Sequence, residues 1–251
     1  SHAPVGVAIS LYAAANITFH VLALSGAETD LAVRMALGLD MFLLTFIGGR
    51  LTPNFTREFL VGQAKRERPT PFSRFDGLSI ALVLMAALAW TVLPSAPATG
   101  WIFLAAGTVN LARLLRWYGW LTWREPLVLS LHVGYGWLAL SMLVIGCALL
   151  GIGLAKEDAV HALTTGAVGA MTLAVMTRAS LGHTGRPKHA GPATVCIYVL
   201  VSLGATLRVF GPGTGLSTNL VLGSAGAAWS GAYLLFALVY GPYLVRPSLD
   251  E

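Results

Sequence analysis

The sequence predicts an all-α bundle of about eight membrane-crossing helices, and three observations carry that prediction. Of the 251 residues, 56% are hydrophobic and only 11% charged, where a soluble domain carries about 25% charged residues. The apolar residues gather into long runs, the longest able to cross a hydrocarbon core as single helices. The Lys and Arg residues crowd the alternate ends of those runs, which is the asymmetry that orients membrane helices. The net charge of +5 therefore reads as topology, and no nucleic-acid partner is expected.

The runs cover residues 4–24, 31–51, 78–93, 100–115, 126–154, 159–181, 192–210 and 216–244. The third and fourth are short for spanning, so they are expected to tilt little or to thin the bilayer. Pro94-Ser95-Ala96-Pro97 and Gly211-Pro212-Gly213 mark tight connectors. The longest and most polar connector runs over 52–76, because Pro53 is expected to end the second helix and leave Arg50 at the interface. Of the 16 Lys and Arg residues, only Arg34, Lys156 and Arg208 fall on the side away from that connector. The crowded side, with both termini, is therefore expected to be cytoplasmic. Trp117, Tyr118, Trp120 and Trp123 follow the fourth run beside Arg113 and Arg116 and read as an interfacial aromatic belt. Cys147 and Cys196 both fall in apolar runs, where packing is their expected role. Residues 1–251 read as one integral membrane domain. The chain starts at Ser1 with neither Met nor a signal-peptide pattern, as a fragment or processed chain would.

The sixth run organises the rest. His161 stands at one end of it, Arg178 and His183 at the other. The two histidines are about 33 Å apart along an α-helix and nearly on one face, too far apart to share one metal. Gly166, Gly169 and Ala170 between them are small enough to admit a close neighbour. Sorted by depth, His20 joins His161 in an outer layer, while His132 joins His183 in an inner one. All four are expected to point into the bundle, since an imidazole facing hydrocarbon leaves its N–H unsatisfied. Neutral imidazole suits haem iron and copper. Asn16 lies four residues before His20, placed to orient its ring. His2 and His189 read as solvated, and Glu157 and Asp158 as the start of the sixth helix.

The stretch HALTTGAVGAMTLAVMTRASLGHTGRP, from His161 through Arg178 to Gly182-His183-Thr184-Gly185-Arg186, resembles the NnrS family of bacterial membrane proteins. NITFH ending at His20, GGRLTPNF from Gly48, LHVGYGWL around His132 and Arg208 in the seventh run are similar to further family segments. The resemblance implies a protein of the bacterial inner membrane that binds haem b, with copper as a second cofactor. It implies a part in the response to nitric oxide or another small diatomic ligand, in denitrification or under nitrosative stress. It also implies His20, His132, His161 and His183 as candidate metal ligands, with Asn16, Arg50, Arg178 and Arg186 around the cofactor. Arginines beside a haem are natural partners for its propionates. Members of the family are usually longer and open with a His-x-x-Glu-Met-x-Phe-Gly motif that this sequence lacks. The chain is thus expected to match the C-terminal two-thirds of that architecture, the remainder coming from a missing segment or a partner subunit.

Phosphate-binding, nucleophile-elbow, zinc-protease and dinucleotide-binding patterns are absent from the sequence, and catalysis is established by neither route. One alternative is a transporter or channel that uses Asp40, Arg50, Arg178 and Arg208 along a polar pathway; another is a scaffold subunit of a larger complex. Asp40 lies in the middle of the second run, where a carboxylate costs roughly 2.5–3.5 kcal/mol on insertion scales. A buried hydrogen bond or partner charge is the simpler reading of it, and a proton path the sharper one.

Overall fold

The second helix, expected to stop near Pro53, instead continues for 33 residues from Asp30 to Gly62. This is the main departure of the computed structural model, which describes residues 3–249, from the expected layout. Eight long helices follow one another: α1 Ala3–Leu24, α2 Asp30–Gly62, α3 Arg74–Val92, α4 Pro97–Leu115, α5 Pro126–Leu149, α6 Lys156–His183, α7 Pro192–Phe210 and α8 Thr218–Leu244. Seven are long and apolar enough to cross a membrane; α1 is 22 residues long and apolar from Ile9 to Leu24. No strand occurs among the described residues. The chain is a multi-pass helical membrane protein.

Local chemistry sets the boundaries. Ser73 and Asp76 form a capping box that starts α3, and Pro97, Pro126 and Pro192 stand in the first turns of α4, α5 and α7, where a missing N–H costs nothing. These starts extend α3 and α4 to 19 residues each, longer than the runs suggested. The fifth helix ends earlier than expected, because Gly151 and Gly153 adopt positive φ of 76° and 81°, a conformation that breaks a helix and suits glycine.

Short connectors make successive helices antiparallel, so the bundle has a His161 end and a His132 end. The centre is α5 and α6, whose most apolar windows are the most buried of the spans. Helix α2 packs on both; α3 and α4 close one flank, α7 and α8 the other, and α1 lies outermost against α2. Backbones meet closely at Gly100 and Gly146, where a Cβ on either would come within about 3 Å of the other's carbonyl oxygen. Small residues drive such contacts in lipid, where helix association depends on packing. Gly166 and Gly169 of α6 do admit neighbours, but these are the Trp137 and Trp229 rings rather than another backbone.

Candidate functional site

Two polar centres sit at opposite ends of the bundle. At the His132 end the organising residue is Arg113 of α4, fully buried. Its Nε donates to Asp76 at 2.8 Å, and one terminal nitrogen donates to the Tyr135 hydroxyl at 2.9 Å and the Thr45 carbonyl at 3.1 Å. The Tyr135 hydroxyl donates to Asn110 Oδ1 at 2.7 Å, which also accepts from Ser79 at 2.8 Å. The Arg116 guanidinium adds a 3.7 Å ion pair to Asp76. A buried guanidinium is tolerable only when paired and hydrogen-bonded, and here three neighbouring helices supply the partners.

The same residue explains how α2 passes through Pro53. Proline has no N–H to give to the carbonyl four residues back, which is that of Gly49. Arg113 reaches that carbonyl at 3.5 Å. Immediately before it, Leu44–Gly48 winds as a π-helix, and its Thr45 carbonyl takes a second Arg113 bond. Gly49 itself admits no side chain, since a Cβ there would lie 2.5 Å from the guanidinium. So the Gly48-Gly49 pair makes room for an arginine, and the helix continues.

The extended arm of α2 then seals His132. Thr56 sends its hydroxyl proton to the Thr52 carbonyl at 2.7 Å. The His132 Nε2, 2.7 Å from the Thr56 hydroxyl oxygen, is therefore the protonated nitrogen that donates to that hydroxyl. The other nitrogen, Nδ1, is buried without a partner against Gly119, where a Cβ would stand 2.5 Å away. Trp117, expected in an interfacial belt, is buried between Arg113, Tyr135 and His132; Trp120 and Trp123 are exposed as a belt requires.

At the other end, His161 is half-buried in the wall of a cavity of about 540 Å³. Arg34 and Lys156 line it too, as do the acidic Asp30 and Glu157. Thr164 Oγ1 lies 3.4 Å from His161 Nδ1, and among the described residues Nε2 has no hydrogen-bond partner. The Arg34 Nε is buried and unpartnered. A turn of π-helix, Ala162–Val168, follows His161 directly; such turns gather at functional sites. Asp158 does belong to the first turn of α6, and its carboxylate takes a 2.6 Å bond from Arg208 of α7.

The four histidines do not all point inward as expected. His132 is buried and His161 half-buried, but His20 and His183 are exposed. Both stand near helix ends, where an imidazole can reach the interface instead of the interior. The ring contact of His20 among the described residues is with Phe19, centroids 5.6 Å apart, and Asn16 is exposed as well. No hydrogen bond or ring contact joins His132 to His183 among the described residues. The arginines have partners of their own: Arg178 bonds Glu58 at 3.2 Å and covers Phe55, Arg50 covers Phe46, and Arg186 covers Tyr243. His189 is exposed, as expected of a solvated residue; His2 lies outside the described residues.

Sequence reading missed the Arg113 centre by assigning Arg113 to the interface. The signal was present as two polar pairs three residues apart, Asp76 with Ser79 at the start of the third apolar run and Asn110 with Arg113 within the fourth. That spacing puts each pair on one helical face.

These surroundings decide which residues fit a haem. His132 does not: one nitrogen is spent on Thr56 and the other is closed off by Gly119. His161 offers a free Nε2 on a roomy cavity, where Lys156 lies beside it and Arg34 is paired with Asp30 at 3.6 Å. Among the described residues no group of three or more His, Cys, Asp or Glu is arranged to hold a metal, so no copper site is derived from this chain.

A family model described as NnrS protein matches residues 1–248. Comparison with curated proteins and with solved structures gives no match.

Proposed function

The chain belongs to the NnrS family, and from that premise we propose that it is a haem-binding protein of the bacterial inner membrane, acting in the response to nitric oxide. The observation that carries the reading is the His161 cavity. A ligand nitrogen without a partner and two cations face one space of about 540 Å³. In this reading His161 Nε2 would hold the iron, Thr164 would orient the ring through Nδ1, and Lys156, with Arg34 once it exchanges Asp30 for a propionate, would pair with the propionates. The Arg208–Asp158 pair fixes the first turn of α6 and so the height of His161. Bound haem supplies an iron able to take a diatomic ligand. The apolar wall of Val33, Leu37, Trp90 and Val160 limits water on that side. Copper is assigned to no residue. The basic residues at the His132 end favour a cytoplasmic location for that end, with the cavity then on the outer side.

The purified chain in detergent tests the reading by its absorption spectrum. A Soret band that shifts on addition of nitric oxide supports it. A featureless spectrum after expression with ample haem supply removes it, and leaves transport or scaffolding as the family role of this chain.

A further inference from the structure

Asp40 has a place that the haem reading does not use. It lies ten residues in from Asp30, about 15 Å at 1.5 Å per residue, or halfway through a hydrocarbon core of roughly 30 Å. Its Oδ1 accepts a hydrogen bond from the Tyr12 hydroxyl of α1. Among the described residues no ion pair includes it. A carboxylate at that depth without a cation is stable only as the neutral acid or with access to water.

The cavities supply the access. Asp40 and Tyr12 both line a space of about 310 Å³ between α2 and α6. Tyr12 lines a second, of about 270 Å³, between α1 and α2, in which Asn16 sits one turn further along. Val33 and Leu37 wall that second space and also the 540 Å³ cavity at the His161 end. Three cavities in series, each sharing a wall with the next, thus run from the His161 end to mid-membrane.

We propose that Asp40 is a proton-binding site that exchanges with the aqueous phase at the His161 end through these cavities, with Asn16 and Tyr12 as the polar steps. A proton from water at the mouth forms an O–H bond on Oδ2, while Oδ1 keeps the Tyr12 bond. On release that bond breaks and the proton returns by the same route. No oxidant or second substrate is involved. A metal cation fits poorly, since hard cations take six or more oxygens and this space offers the carboxylate, the Tyr12 hydroxyl and Thr172. The surroundings leave Asp40 free to titrate alone. From α1 the titratable neighbour is Tyr12; α6 presents Met171 and Thr172; α3 packs Ala87 on Gly38. On α2 itself, Arg34 lies six residues away and is paired with Asp30 at 3.6 Å.

Infrared spectra of the full chain in liposomes test this, with the Asp40→Asn protein subtracted to isolate the acid carbonyl stretch. The band should be present, fall as the pH is raised and return when it is lowered. Ala36→Trp fills the middle cavity and should keep the band but slow its response to a pH jump about tenfold or more. Asn16→Leu, a milder change at the same cavity, should slow it in the same direction and covers the case in which the tryptophan prevents folding. The proposal is overturned by identical wild-type and Asp40→Asn spectra at every pH. A band indifferent to pH, or equal response rates in the wild type and the folded cavity variants, overturns it too. Haem content does not enter the readout, so failure here leaves the His161 reading standing.

Discussion

At the scale of single residues, this protein is governed by what surrounds Arg113. A guanidinium with no exposure holds Asp76, Tyr135, Thr45 and Gly49 in fixed relation, and each partner is exacting about size or charge. Gly49→Ala places a methyl group 2.5 Å from the guanidinium, and overpacking of that kind costs about 1–3 kcal/mol. Its thermal midpoint in detergent should fall, and an unchanged midpoint would show that the arginine moves away freely. Asp76→Leu leaves the Arg113 guanidinium buried without its carboxylate, at a cost of about 3–5 kcal/mol, while Arg113→Met leaves Asp76 its 3.7 Å pair with Arg116 and should cost less. The double variant should recover much of that loss, whereas additive losses would contradict the pairing. None of this was legible from counting basic residues, because the count treats Arg113 as an interfacial charge. Histidine positions were read better: His161 does sit at one end of α6 on a cavity. Whether a histidine near a helix end turns inward depends on neighbours that depth alone does not specify, and there His20 and His183 differ from the expectation.

The helices themselves were legible where an apolar run met a clear stop. The misreading of α2 has a specific physical origin. Proline normally disrupts a helix interior by about 3 kcal/mol, since it strands a carbonyl and clashes with it. In this chain the stranded Gly49 carbonyl is met by an arginine some sixty residues later in sequence, a compensation no local pattern reveals. Pro53→Ala should therefore gain much less than about 3 kcal/mol, because the new N–H competes for an acceptor already in use. Chemical denaturation would show this, and a gain of the full amount would mean that the Arg113 bond does little. The continuation matters for the site: the arm beyond Pro53 carries Thr56 to His132 and Glu58 to Arg178, and so closes the His132 end.

For the molecule as a whole, the two ends of the bundle are unlike. One is a packed polar lock, sealed by the α2 arm and by the connector before α3, which Thr70 pins to the Arg116 carbonyl at 3.2 Å. The other opens into a cavity of about 540 Å³ beside His161. The bundle class and its eight helices followed from composition and periodicity; which end was open did not, since that depends on how α2, α3, α5 and α6 meet. The basic asymmetry predicts a cytoplasmic location for the sealed end. Single cysteines introduced in 64–70 should react with an impermeant thiol reagent only from the cytoplasmic side, and those in 151–155 only from the opposite side. The reverse pattern would invert the orientation.

The proposal that His161 is a haem ligand is tested most directly by haem content per protein after replacing single histidines. His161→Ala should lose the haem, with the protein still monodisperse in detergent, while His183→Ala and His20→Ala should retain it because neither lines the cavity. Full haem in His161→Ala, or its loss in His183→Ala alone, would contradict the assignment.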